Sequence, residues 1–221
     1  FYADMGFDGG IWYGQGKYDD NQDLFFLLGK YKERNGFGKL GYGTVTGYYI
    51  KKYVHWQNVI GTGSNYSITN YPWPLIRLAD LYLLYAEALN ESAGPGAEVY
   101  TYLNLVRQRA GLASVESSWT NFSNNPTKYT TKEGLRDIVQ QERSIELAFE
   151  SQRFWDLRRW KTAQDKMNSP ITGWDLQQAN AADYYRPTVI FNQTFGLKDY
   201  FWPIKDADIA TNTNLVQNLG W

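Results

Sequence analysis

The chain has 221 residues, of which 43% are hydrophobic and 20% are charged, and this is enough for one substantial globular core or two small ones. Its net charge of -1 supplies no positive field for phosphate backbones or lipid headgroups, and no apolar run is long enough to span a membrane. Because cysteine is absent, disulfides, thiolate metal sites and cysteine nucleophiles are excluded. The lack of a positive field leads us to expect no nucleic acid partner.

Residues 1–72 are rich in Gly, Tyr and Asp, which predicts loops and a few short strands such as the β-like run Thr46–Val54. The segment from Gly36 to Gly41 matches Gly-x-Gly-x-x-Gly, a pattern that binds dinucleotides only when it opens a helix. Here a strand-like run follows it. We therefore interpret this segment as a turn before a hairpin.

Metal and cofactor motifs in this first third are incomplete. The acidic run Asp19–Asp23 resembles the start of a calcium loop, but Leu24 and Lys30 stand where the loop needs Gly and Glu. This leaves open only an isolated surface Ca²⁺. His55 is the single histidine, so neither a histidine zinc site nor a catalytic triad with spare partners can be assembled. We expect no cofactor.

A helical hairpin is predicted after the prolines at 72 and 74. Apolar residues recur at helical spacing from Leu75 to Leu89, and Gly94-Pro95-Gly96 ends that helix. A second helix is predicted over Ala97–Ala110, with Gly111 after it. The short connection is typical of the antiparallel pairs in tetratricopeptide-like stacks.

Residues 113–130 are polar and are predicted to form a loop. Thr130 and Glu133 then fit a capping box, and an apolar stripe continues to Glu150, which predicts a long helix. A short helix is predicted over Arg153–Trp160. The remainder to residue 221 is predicted to be loop, with a helical turn at Asp206–Ala210.

In the predicted helix that continues to Glu150 and in the one over Arg153–Trp160, the carboxylates have arginines within one turn. A glycosidase needs two carboxyl groups that face each other across a sugar, roughly 5 to 10 Å apart. Spacings of three or four residues along one helix instead favour ion pairs that stabilise and dock the helix. We expect Glu142 in particular to pair with a buried arginine, either Arg77 or Arg107.

Several blocks of the chain resemble one known family. The stretches concerned are Leu75–Asn90, Leu103–Leu112, Glu142–Trp160, Tyr200–Ile204 and Asn214–Trp221. In this order they are similar to the SusD/RagB family of nutrient-binding outer-membrane lipoproteins. Ser151 and Leu219 depart from it, since Gly and Pro are common at those two positions.

This resemblance implies a mainly α, SusD-like helical scaffold with a tetratricopeptide-like hairpin, accompanied by a loop-rich region with a few short strands. It divides the chain into a loop-rich ligand-binding region, 1–72, and a helical carboxy-terminal scaffold, 73–221. It also implies a surface-exposed protein of the outer membrane that is partnered with a TonB-dependent transporter of the SusC type. Since the chain opens at Phe1 without an initiator Met, we expect a fragment whose amino-terminal portion would be a further partner.

The resemblance implies non-catalytic capture of a polysaccharide or oligosaccharide. Peptide capture of the RagB type is the alternative, and a glycan-cleaving enzyme is a third hypothesis. Aromatic residues make up 17% of the chain, and rings on loops can stack on sugars. The candidate ligand-binding residues are the aromatics of the irregular first third: Trp12, Tyr13, Trp56, Tyr66 and Trp73.

Overall fold

Eight α-helices and eight short strands occur in the computed structural model, which describes residues 1–12, 25–39, 43–61 and 65–221. The helices are α1 (Leu78–Ala93), α2 (Ala97–Arg109), α3 (Val115–Phe122), α4 (Lys132–Glu146), α5 (Gln152–Arg159), α6 (Ala163–Met167), α7 (Ala181–Tyr184) and α8 (Asp206–Thr211). The strands are β1 (Met5–Phe7), β2 (Ile11–Trp12), β3 (Phe25–Phe26), β4 (Tyr48–Ile50), β5 (Val59–Ile60), β6 (Tyr66–Ser67), β7 (Pro170–Trp174) and β8 (Pro187–Asn192). The mainly α fold with a few short strands agrees with the prediction.

Internal contacts group the chain into two units. One unit contains residues 72–153, and the other contains residues 1–71 together with residues 154–221. The division into a ligand-binding region and a scaffold at residue 72 remains a prediction about function. In terms of contacts, the last 68 residues belong with the first third of the chain.

The unit of residues 72–153 is built on α1, α2 and α4, whose facing side chains form one apolar core. The residues buried in it include Leu83, Leu103, Leu135, Ile138 and Val139. Leu78 and Leu81 of the predicted stripe are exposed, because α1 has a second apolar face that no residue of this unit covers.

Two local predictions in this unit are wrong. The predicted polar loop contains α3, whose N-cap Ser114 accepts a hydrogen bond from the Ser117 N–H. Asn104 on α2 holds this helix, since its side-chain oxygen accepts from the Val115 N–H at 2.8 Å. The N-cap of α4 is Thr131, one residue later than predicted, and the helix ends at Glu146.

In the described residues of the unit 1–71 and 154–221, the strands form four two-stranded antiparallel sheets, β1–β4, β2–β3, β5–β6 and β7–β8. The segment predicted to be loop contains α6, α7 and the β7–β8 hairpin. Each strand of this hairpin begins at a proline, and twelve residues separate the two strands. Within the predicted glycine turn, the Lys39 N–H donates to Gly36 O at 3.4 Å, as a turn requires. Gly41 and the acidic run Asp19–Asp23 lie outside the described residues.

Candidate functional site

The predicted ligand-binding aromatics have different environments. Trp12 is half-buried on β2, and a Cβ atom on Gly6 would lie only 2.4 Å from its ring. Its ring also meets Tyr49 edge to face, with centroids 6.4 Å apart. Trp12 therefore has a packing role within its unit, and its contact with a ligand stays a prediction.

Two other predicted residues, Tyr13 and Trp73, cannot be placed near Trp12. Tyr13 lies outside the described residues. Trp73 belongs to the unit of residues 72–153, where its side chain is exposed. Their contacts with a ligand also stay predictions.

Trp56 lies in a group of three rings, His55, Trp56 and Tyr71, which we call the aromatic cluster. The imidazole of His55 stacks on the indole of Trp56 with centroids 5.8 Å apart and planes 21° apart. On Tyr71 it is tilted by 31° at 5.9 Å. The Tyr71 hydroxyl donates to Tyr53 O at 3.2 Å. This hydrogen bond holds the Tyr71 ring against the loop that carries His55 and Trp56.

A hydrogen bond also sets the tautomer of the neutral imidazole. Nδ1 of His55 accepts from the Gln57 N–H at 3.2 Å. An accepting Nδ1 carries no proton, so the neutral ring has its proton on Nε2. The cluster thus combines three ring faces with a donor of defined position, a combination that suits a ligand with both apolar faces and hydroxyl groups.

Tyr66 is positioned by a buried asparagine. The Asn58 amide nitrogen donates to the Tyr66 hydroxyl at 3.1 Å, and the amide oxygen accepts from the Thr69 N–H at 2.8 Å. Asn58 therefore ties the β5–β6 hairpin to the strand-free segment after it. Since Tyr66 is 48% exposed, its ring is both oriented and accessible.

Several carboxylates of the helical unit are held in ion pairs with arginines. Arg77 binds Glu146 at 2.5 Å and Glu150 at 2.6 Å, and the partly buried Glu142 pairs with Arg107. The prediction that Glu142 meets Arg77 or Arg107 is confirmed, and the partner is Arg107. Burial raises the pKa of Glu142, an effect that outweighs its attraction to Arg107.

The described residues of the other unit include two buried carboxylates, Asp156, which pairs with Arg159, and Asp8. Asp8 accepts from the Gly29 N–H and the Tyr185 hydroxyl, both at 2.7 Å, and binds the Lys30 ammonium at 2.9 Å. Burial acts to raise the pKa of Asp8, but the hydrogen bonds from Tyr185, Gly29 and Lys30 outweigh it and lower the pKa. A charged, fully bonded carboxylate of this kind organises structure and has no free proton to give.

A cleft of about 630 Å³ lies beside the last residues of the chain and is lined by Arg158, Lys198 and Tyr200 among others. The Arg158 guanidinium donates to the backbone oxygens of Asp199 and Tyr200. The Lys198 ammonium lies 4.3 Å from the ring centroid of Trp221. Two positively charged residues that line the cleft, Arg158 and Lys198, therefore already contact other residues of the same unit.

Within the described part of the chain, neither a metal-holding group nor a helix able to span a membrane is found. Residues 1–12, 25–39, 43–61 and 65–221 contain no group of three or more acids or histidines placed to hold a metal ion. None of the helices found there has the length and apolarity needed to cross a membrane.

The chain has relatives among characterised and solved proteins. It is 31% identical to SusD-like protein P2 of Formosa agariphila over 170 residues, which are 77% of this chain and 29% of that protein. It is 41% identical to SusD-like protein P25 of the same organism over 86 residues, which are 39% of this chain and 15% of that protein. The chain therefore spans under a third of the length of these relatives.

Structural similarity extends over the whole chain. A crystal structure of a SusD-like protein from Bacteroides fragilis matches 100% of this chain and 38% of that protein, with 26% identity and a TM-score of 0.74. This match confirms the predicted SusD-like fold. The sequence model of the SusD family matches residues 1–221. The resemblance noted in the sequence is thus confirmed, and the chain belongs to the SusD/RagB family.

Proposed function

We propose that this chain is part of a non-catalytic protein that captures glycans at the cell surface and delivers them to a SusC-like TonB-dependent transporter. The observation that carries the proposal is the aromatic cluster of His55, Trp56 and Tyr71, accompanied by the oriented ring of Tyr66. Pyranose rings have apolar faces and hydroxyl edges, and they match rings flanked by polar groups.

Pre-organisation supports this role. The stacking of His55 on Trp56 and the bond from Asn58 to Tyr66 hold these side chains before any ligand arrives. A side chain that is already ordered loses little entropy on binding. The surface is therefore suited to weak, repeated capture of a polymer by several rings.

The state of the carboxylates supports the absence of catalysis. A glycosidase would need two unpaired carboxyl groups facing one sugar, one of them with a raised pKa. Glu142 has the raised pKa, but it pairs with Arg107 inside the helical unit. Glu146 and Glu150 both bind Arg77.

The transporter partner and the location at the outer-membrane surface are proposed from family membership. SusD-type proteins carry that partnership, and the present chain supplies the scaffold helices that match them over residues 1–221.

Calorimetric titration of Trp56→Ala tests the surface. With an oligosaccharide that the wild-type chain binds, we expect about a tenfold loss of affinity, because one stacking face is removed. Trp155→Ala is the matched control, since Trp155 is an exposed tryptophan of a scaffold helix in the same unit, and it should bind as wild type. Circular dichroism of each variant checks the fold.

The outcomes separate the site from the function. Equal affinity of Trp56→Ala and wild type would refute the aromatic cluster as the binding surface. Failure of the wild-type chain to bind any saccharide would refute glycan capture itself.

Peptide capture is the second candidate, and the strand pairing favours it. The described sheets each have two strands, so every one of them leaves backbone edges to which an extended peptide can add a strand. Titration with a mixed peptide digest distinguishes this ligand class. Binding of peptides, with no binding of saccharides, would replace the glycan proposal.

A further inference from the structure

A second tryptophan, Trp174 at the end of β7, lines a pocket of about 300 Å³ in the unit of residues 1–71 and 154–221. The sequence analysis did not single it out, because the β7–β8 hairpin was predicted to be loop. This volume is at the small end of the usual range for ligand pockets, about 300 to 1,000 Å³. It suits one sugar unit rather than a length of polymer.

The indole of Trp174 is fixed by its neighbours. Its backbone N–H donates to Thr46 O at 3.0 Å, and a Cβ atom on Gly47 would lie 2.5 Å from its Cδ1. Gly47 has a φ of +86°, a conformation that favours glycine, so the chain comes close to the ring at a residue without a side chain. The indole therefore rests directly on backbone.

Two tyrosines complete this support. Tyr48 lies 5.9 Å from Trp174, and Tyr185 meets it edge to face at 5.6 Å. The Tyr185 hydroxyl is itself anchored on the buried carboxylate of Asp8. A ring held by so many contacts presents a rigid stacking face to the pocket, and rigid faces bind at low entropic cost.

The remaining wall of the pocket combines the apolar side chains of Phe37, Val45, Leu176 and Ile190 with four polar ones. Thr44, Thr188 and Gln177 contribute hydroxyl and amide groups, and Asp175 is the one charged residue among the ten described residues that line it. The Asp175 carboxylate accepts from the Gln177 N–H and from the Gln178 amide, which holds it in place. A fixed negative charge repels an anionic ligand and accepts hydrogen bonds from hydroxyl groups.

We propose that the Trp174 pocket is a subsite for one neutral sugar unit, which stacks on the indole and donates hydroxyl hydrogen bonds to Asp175. The proposal rests on the glycan-capture function above and specifies its ligand class. It selects neutral glycans over those built from uronic acids or carrying sulfate.

Calorimetric titration with neutral hexasaccharides, namely maltohexaose, cellohexaose, xylohexaose and mannohexaose, tests the subsite. With a hexasaccharide that wild type binds, Trp174→Ala should lose about tenfold in affinity, while Trp155→Ala should not change. Gln177→Ala removes an exposed lining side chain, and a loss of about threefold is expected even if Trp174→Ala fails to fold.

Charge selectivity provides an independent readout. Wild type should bind hexagalacturonate more weakly than the neutral ligand. Asp175→Asn should reduce the ratio of neutral-ligand affinity to hexagalacturonate affinity by about threefold. The substitution removes the repulsive charge while the side chain keeps nearly the same shape. Preference for hexagalacturonate, or an unchanged ratio in Asp175→Asn, would overturn the proposed selectivity.

The two proposals fail in different ways. If Trp56→Ala loses affinity while Trp174→Ala and Gln177→Ala bind as wild type, the subsite is refuted and glycan capture stands. If wild type binds no saccharide, glycan capture falls and the subsite falls with it.

Discussion

At Ser151, the chain departs from the family pattern in a way that carries strain. Glycine is common at this position, and Ser151 has a φ of +62°, in the left-handed region that disfavours a side chain. The backbone has thus kept the conformation that glycine serves, although the residue has changed. We interpret the backbone conformation of Ser151 as a source of slight destabilisation in the segment between α4 and α5.

Ser151→Gly should therefore stabilise the chain, by up to about 1 kcal/mol in the free energy of unfolding. Urea unfolding followed by circular dichroism measures the change. Ser92→Gly, within the last turn of α1, is the matched control and should destabilise by about 0.5 to 1 kcal/mol, since glycine weakens a helix. Destabilisation by both substitutions would show that Ser151 carries no strain.

Asp8 gives the protein a predictable response to acid. Its pKa is lowered in the folded state, so its contribution to stability is fully present above its ordinary value of 3.8. That contribution is lost as the pH falls through the lowered pKa. Asp8→Asn should destabilise the chain at about pH 7, and the difference from wild type should shrink towards about pH 3. Urea unfolding at both pH values measures it, and a constant difference would contradict this role.

Among the elements, α4 depends on a glycine in its first turn. A Cβ atom on Gly134 would lie 2.0 Å from Lys128 O and 2.8 Å from the capping Oγ1 of Thr131. The 3-10 turn Lys128–Thr130 thus packs against α4 where Gly134 has no side chain. Close approach, rather than helix propensity, decides this position.

Gly134→Ala should consequently destabilise by about 1 to 3 kcal/mol, although alanine is the better helix former. Thermal and urea unfolding measure it. Gly96→Ala, where a Cβ atom would meet open space, should cost at most about 1 kcal/mol. A stabilising Gly134→Ala would mean that the turn moves away without cost.

Helical periodicity predicted α1, α2, α4 and α5 because each carries apolar residues at regular spacing. It could not predict α3, in which Val115 is the one buried residue and Asn104 on another helix supplies the anchor. The β7–β8 hairpin was equally hidden, since its strands pair across twelve intervening residues and include a register shift at Ile171.

The same reasoning applies to the candidate sites. Trp56 and Tyr66 could be predicted as candidates because they are aromatics in a glycine-rich, irregular region. Trp174 could not, because its setting depends on the approach of Gly47 from a distant part of the chain. Contacts that join remote segments leave no periodic signal in the sequence.

For the whole molecule, the balance of charge agrees with a ligand recognised by stacking and hydrogen bonds. The net charge is -1, and three acids of the helical unit, Glu142, Glu146 and Glu150, pair with Arg107 or Arg77. Binding of a neutral glycan should therefore depend little on salt, unlike binding that is driven by charge. In the proposed function, the rings outside the helical unit supply recognition.

Native affinity electrophoresis of the wild-type chain tests the central claim most directly. The gels contain starch, xyloglucan, arabinoxylan, galactomannan or polygalacturonate, and each polymer is assayed in parallel for new reducing ends. We predict retardation by at least one neutral polysaccharide, with no reducing ends released. Release of reducing ends, or unchanged mobility in every gel, would contradict non-catalytic glycan capture.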